Sequence, residues 1–233
     1  MNIFGTLYET ALEALFPLSP IEQWLLNTDI KTIINSVPRA KNMPILEAGS
    51  IFSYKDERVR HLIWSIKYKK SARSALISAI ALYRFIETFS GLVPNIVIIP
   101  MPITVRRRRE RGFNQCELIT DEMKKICAGK INSANKINSL TFIDDLLIRT
   151  HHTSRQTLKD REHRLASAHE LFSINEATAI RLKNNQPHVL PNIADATYII
   201  IDDVITTGST MKEAVLAMRN AGLKNTWGLS VAH

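Results

Sequence analysis

The residues best suited to chemistry lie in one stretch near the carboxyl end: Asp202-Asp203-Val204-Ile205-Thr206-Thr207-Gly208-Ser209-Thr210. Two adjacent carboxylates follow the apolar run Tyr198–Ile201 and are followed in turn by a Thr/Gly/Ser/Thr segment. The apolar run reads as a buried strand, and the segment after it as a turn that opens a helix. A helix N-terminus offers unpaired backbone N–H groups and the positive end of the helix dipole, which suit a phosphate dianion. Gly208 would let the backbone approach closely, and the hydroxyls of Thr206, Thr207, Ser209 and Thr210 can donate to phosphate oxygens. Asp202 and Asp203 are acceptors of the kind that two neighbouring sugar hydroxyls need. The competing reading is an ordinary strand–turn–helix with Thr and Ser caps and two solvated aspartates. Paired carboxylates set against a complete hydroxyl and glycine cradle weigh against it.

Two further motifs are basic. Ile98-Ile99-Pro100-Met101-Pro102 leads into Arg106-Arg107-Arg108-Arg109-Glu110-Arg111-Gly112-Phe113-Asn114-Gln115, and upstream stands Arg60-His61-Leu62-Ile63-Trp64-Ser65-Ile66-Lys67-Tyr68. Arginine forks pair bidentately with phosphate oxygens, so the first motif reads as an anion clamp, with Arg111 and Asn114 as its best candidates and Lys67 as a weaker one. Four consecutive arginines cannot all face one site, so Arg106–Arg109 also read as a solvated loop. Contact with a nucleic-acid backbone fits the charge, but the arginine run lacks interleaved aromatic residues.

The stretch Ile200–Thr210 resembles the 5-phosphoribosyl-1-pyrophosphate (PRPP) motif of type I phosphoribosyltransferases. With the Lys-Tyr and Arg-Gly-Phe-Asn-Gln motifs ahead of it, the chain resembles the ComF/GntX family of competence-associated phosphoribosyltransferase-like proteins. The resemblance covers about residues 52–232 and matches poorly around 128–145 and 179–192. It implies that Asp202 and Asp203 orient the ribose, that Val204 and Thr206–Thr210 surround the 5-phosphate, and that Arg111, Asn114 and Lys67 meet the pyrophosphate. It also implies Mg²⁺ carried by the ligand, with no protein residue directly assigned to metal. Arg149, Thr153, Gln156, Arg161 and Arg164 fall where the family's flexible catalytic loop would close. His151, His152 and His163 in the same stretch read as surface histidines. Many relatives carry an N-terminal four-cysteine zinc module, whereas this chain has no cysteine before Cys116, so zinc is not expected. Several purine-using members have an acidic residue where Thr206 stands, so that route of proton transfer is missing and the acceptor is open. Two functions follow as expectations. One is phosphoribosyl transfer from PRPP to an unknown acceptor. The other is a non-catalytic nucleotide-sensing or DNA-handling role in DNA uptake, with single-stranded DNA or uptake proteins as partners.

These residues need an α/β frame to hold them. The expected fold is a parallel sheet flanked by helices, because strands at Ile51–Tyr54, Ile96–Met101, Leu146–Arg149, Thr197–Asp203 and Thr226–Ala232 alternate with helices at Arg58–Tyr68, Ala75–Phe89 and Asn114–Cys127. Residues 1–50 read as a helical segment and linker, with Leu7, Ala11, Ala14 and Leu15 at helical spacing, a second helix over Ile21–Ile34 and a linker at Pro38–Gly49; residues 51–233 form the main domain. A chain of 233 residues can bury a sizeable core. The formal charge of +8 and pI near 9.6 suit polyanionic ligands. No Lys or Arg precedes Lys31, so no signal peptide is expected, and the apolar runs are too short to cross a membrane. Two cysteines provide no disulfide framework, and a cytoplasmic setting follows.

Overall fold

A computed structural model of the chain describes residues 18–41, 43, 45–90, 93, 95–129, 140–150, 171–184 and 196–233. Two short helices come first, α1 (Pro20–Asn27) and α2 (Ile30–Ser36), followed by β1 (Ala48–Phe52), α3 (Glu57–Lys69), α4 (Ala72–Ser90) and β2 (Ile96–Pro100). Next come α5 (Val105–Arg111), α6 (Gln115–Cys127), β3 (Leu140–Phe142), β4 (Leu147–Arg149), β5 (Phe172–Ile174) and α7 (Glu176–Asn184). The chain closes with β6 (Thr197–Val204), α8 (Ser209–Asn220) and β7 (Thr226–Ala232).

The main sheet has five strands in the order β1-β7-β6-β2-β3, all parallel where they pair. Both faces are covered, and the strand alternation sorts the side chains between them. Ile96, Ile98, Ile199, Ile201, Leu229 and Val231 pack into one core with α2, α3, α4 and α6. Val97, Ile99, Tyr198 and Ile200 pack on the other side against Met211, Ala214, Val215 and Met218 of α8. This is why β2 and β6 read as continuous apolar runs rather than as alternating ones. β4 and β5 form a separate antiparallel pair, joined to the second core through Leu147 and Phe172.

Several boundaries depart from the sequence reading. β1 starts at Ala48, inside the stretch read as a linker, and it pairs in parallel with β7 from Ala48↔Gly228 onward. Arg39 bridges Phe52 in the antiparallel sense, so part of that stretch is held against the sheet edge. The arginine run is a helix rather than a loop: Thr104 caps α5 by accepting from the Arg107 N–H, and Gly112 ends it in the left-handed region at φ 77°. α1 and α2 are tied to the body by Leu25, Ile33 and Ile34 in the first core and by Arg73, which donates to the carbonyls of Leu25 at 2.6 Å and Thr28 at 2.5 Å. Among the described residues, no helix is long and apolar enough to cross a membrane. The Leu7–Leu15 pattern lies outside the described residues.

Candidate functional site

β6 lies at the centre of the sheet, between β7 and β2, and its carboxyl end opens into a cleft of about 400 Å³. Ligands of parallel α/β sheets sit at this end of the strands. The floor is Asp202–Met211, and the walls come from Lys67 and Tyr68 at the end of α3, Arg107 and Arg111 on α5, Gln115 on α6 and Arg149 at the end of β4. Of the residues singled out in the sequence, Asp202, Asp203, Val204, Thr206–Thr210, Arg111 and Lys67 line this one cleft.

Asn114 does not line it. The side chain is 1% exposed, its Oδ1 accepts from the Cys116 N–H at 2.9 Å, and its Nδ2 donates to the Met101 carbonyl at 3.0 Å. Asn114 therefore caps α6 and ties it to the chain leaving β2, behind the cleft wall. Thr153, Gln156, Arg161, Arg164 and the histidines 151, 152 and 163 lie outside the described residues.

The two carboxylates are held differently. Asp202 Oδ1 accepts from the Asp203 N–H at 2.8 Å and from the Cys116 thiol at 3.5 Å. Asp203 Oδ1 accepts from the Val204 N–H at 2.8 Å, and its Oδ2 lies 2.9 Å from Lys67 Nζ as a charge pair without an aligned hydrogen bond. Burial pushes the Asp202 carboxyl up to about 7, and the neighbouring Asp203 charge adds to the rise. Burial also drives the Cys116 thiol far above its ordinary value, with both aspartate charges reinforcing the effect, so this cysteine is an inert hydrogen-bond donor.

A carboxyl whose value rises on folding favours the fold fully below the ordinary carboxylate range, and that stability is lost as pH climbs through about 7. Asp202→Asn, which fixes the uncharged form, should therefore melt above the parent at pH ~8, with the gap closing towards pH ~4. Thermal melts across that range check it; a gap independent of pH would contradict the assignment.

Between the carboxylates and α8 the chain turns at Gly208, whose φ of 82° puts it in the left-handed region. Gly208 is the N-cap of a twelve-residue helix and supplies no side-chain cap itself; the Ser209 N–H donates to Thr207 Oγ1 at a long 3.4 Å. The first N–H groups of the helix face the cleft beside the hydroxyls of Thr206, Thr207, Ser209 and Thr210. The start of the turn is pinned from behind: the Ile205 N–H donates to the Ala232 carbonyl at 3.0 Å, and His233 Nδ1 donates to the Ile205 carbonyl at 2.8 Å.

Across the cleft stand three guanidinium groups. A helix turns 100° per residue, so Arg107 and Arg111 share a face of α5 while the rest of the run points elsewhere. Arg106 pairs with Glu110 at 2.7 Å, and Arg108 pairs with Glu117. Arg111 lies 5.3 Å over the Tyr68 ring and donates to Gln115 Oε1 at 3.0 Å, which fixes its plane. Arg149 rests on Phe172, and burial, with the Arg107 charge nearby, lowers its value. The sequence reading does not single out Arg107, Tyr68 or Gln115 as site residues, and it places Arg149 only in a closing loop. Signals for two of them exist: Arg107 is one turn before Arg111, and Arg149 ends an apolar strand. Rings also interleave with cations on α3, where His61, Trp64 and Tyr68 follow one another at 5.6 and 5.9 Å and Lys69 lies over Trp64. The arginine run lacks such rings, but its neighbouring helix does not. Among the described residues, no three His, Cys, Asp or Glu side chains gather into a metal-binding group.

A phosphoribosyl transferase domain model matches residues 155–231, which contain β6, the turn and α8. The parallel sheet and this match make the chain type I phosphoribosyltransferase-like in its fold. The chain is also similar to competence protein F of Haemophilus influenzae, 29% identical over 140 residues, an alignment that covers 58% of this chain and 50% of that protein. The chain thus spans about half the length of the curated relative it matches.

Proposed function

We propose that the cleft binds PRPP with Mg²⁺ and transfers its phosphoribosyl group to an acceptor, in a cytoplasmic protein that acts in competence. The observation that carries this reading is the polarity of the cleft. Its floor runs from two carboxylates to the N-terminus of α8, and three arginines face that floor. Ribose hydroxyls, a 5-phosphate and a pyrophosphate need those three environments in that order.

The donors of α8 and the Thr206–Thr210 hydroxyls would hold the 5-phosphate, while Asp202 and Asp203 accept from the ribose hydroxyls. Mg²⁺ takes oxygen ligands; carried in with the ligand beside Asp202 and Asp203, it would supply positive charge to offset the phosphate oxygens. The donor set fits it, because the adjacent Asp202 and Asp203 carboxylates supply oxygen ligands and Asp203 Oδ2 is buried without an aligned hydrogen bond. Arg111, Arg107 and Arg149 would steady the negative charge that gathers on the leaving pyrophosphate as the anomeric carbon–oxygen bond breaks. The acceptor then attacks that carbon; none of the cleft residues identifies it.

Arg111→Ala should lower PRPP affinity about tenfold or more, by removing a charged hydrogen-bond donor, and leave ribose 5-phosphate binding within about twofold. Titration calorimetry with the two ligands separates these effects. Equal losses for both would mean that Arg111 supports the fold of the cleft rather than the pyrophosphate.

A further inference from the structure

Behind the phosphate turn lies a second depression that the proposed reaction leaves unused. It is an open trough of about 830 Å³, and it shares Tyr54, Ile205 and Thr206 with the cleft. The charged side chains lining it are all cationic: Arg39 and Lys41 from the segment before β1, Lys55 just after β1, and Arg60 on α3. Backbone pairing sets this up. The Arg39–Phe52 bridge, with the Ala40 N–H on the Ile51 carbonyl and the Ser53 N–H on the Pro38 carbonyl, makes 38–40 an extended strand-like piece. Alternation along it then puts Arg39 and Lys41 on one side.

None of these four cations is in an ion pair among the described residues. The nearby acid, Asp56, is already held by Arg58 at 2.7 Å. Two of the four are nevertheless fixed in place: Arg39 lies 5.4 Å over the Phe52 ring, and Arg60 donates to the Lys55 carbonyl at 3.0 Å. Elsewhere in the chain, cations such as Arg106, Arg108, Lys124 and Arg181 each meet a carboxylate. Four like charges left together repel one another, and a polyanion held among them relieves that repulsion more fully than salt screening does.

We propose that the trough is a second anion subsite, for phosphates that run on from the one held at Thr206–Thr210. PRPP ends at its 5-phosphate and does not reach it. The ligand class is a chain of phosphates, supplied either as a free oligophosphate or as the backbone of a nucleic-acid strand. The proposal rests on the reading of the turn as a phosphate site.

The test neutralises the trough with Arg39→Gln, Lys41→Gln, Lys55→Gln and Arg60→Gln. A Lys41→Gln/Lys55→Gln pair spares the two anchored arginines in case the quadruple variant folds poorly. Inorganic tripolyphosphate is titrated by calorimetry, and a labelled oligothymidylate by fluorescence anisotropy over a salt series. For a single strand, every phosphate left without its cation lowers the slope of log affinity against log salt by about 0.7, so the full variant should drop by about 2–3 units of slope. Loss for tripolyphosphate alone identifies a free oligophosphate as the ligand, and loss for the oligonucleotide identifies a strand. Unchanged binding of both overturns the proposal. PRPP affinity, measured in the same variants, should not move; if the parent itself fails to bind PRPP, the reading of the turn falls separately.

Discussion

The Asp202→Asn/Asp203→Asn double variant is expected to bind PRPP with Mg²⁺ at least two orders of magnitude more weakly than the parent. Both carboxylates line the cleft, and a hydrogen bond to a charged group contributes roughly 1.5–3 kcal/mol. Two such losses correspond to about 3–6 kcal/mol, hence a hundredfold or more in affinity. The substitution keeps shape and volume, and the Oδ1 atoms can still accept from the Asp203 and Val204 N–H groups. The fold should therefore survive, and the Asp202 half should even raise thermal stability at alkaline pH. Calorimetry on the double variant checks this, and PRPP affinity equal to that of the parent would remove both residues from the site.

Lys67→Ala should lower stability, by an amount that depends on pH. Lys67 Nζ is the cation that Asp203 Oδ2 meets at 2.9 Å, with the lysine side chain 21% and the aspartate 6% exposed. Breaking a fully buried pair costs about 3–5 kcal/mol, because the remaining charge is stranded. Solvent reaches the lysine end, so the cost here should be about 1–2 kcal/mol. For a chain of this size that lowers the melting temperature by about 2–8 °C near pH 8. At pH ~5, below the raised Asp202 value, that carboxyl should be neutral, so one negative charge fewer is left without the Lys67 cation and the deficit should shrink. A deficit that is the same at both pH values would mean that Lys67 acts through packing of its alkyl stem. PRPP affinity should fall in the same variant, since the cation also lines the cleft.

The strand–turn–helix at Tyr198–Thr210 is legible in the sequence because its signals agree: an apolar run of strand length, two acids, and then glycine among hydroxyl residues. The sheet is legible for the same reason at β2 and β7. What escapes such a reading depends on geometry that spacing alone does not carry. Arg106–Arg109 look alike as letters, and only the turn of α5, set by the Thr104 cap, sends Arg107 to the cleft and the others to Glu110, Glu117 and solvent. Asn114 sits beside the arginine motif and so reads as a ligand, but it is the N-cap of α6, a role that Asn fills well. The Ala48–Phe52 strand is hidden because Ala48, Gly49 and Ser50 are weak strand formers. Parallel pairing with β7 overrides their propensity, and Ser50 and Ser230 meet across the two strands through their hydroxyls. Arg149 depends on a two-stranded unit whose partner, Phe172–Ile174, lies more than twenty residues further along the chain.

The most direct test of the central claim is a calorimetric titration of the unmodified protein with PRPP, with and without Mg²⁺. Binding in the cleft predicts saturable heat at one site per chain with Mg²⁺ present, marked weakening when the metal is chelated, and competition by ribose 5-phosphate for the phosphate turn. Absence of saturable binding to PRPP with Mg²⁺, in protein whose melt shows it to be folded, would contradict the account.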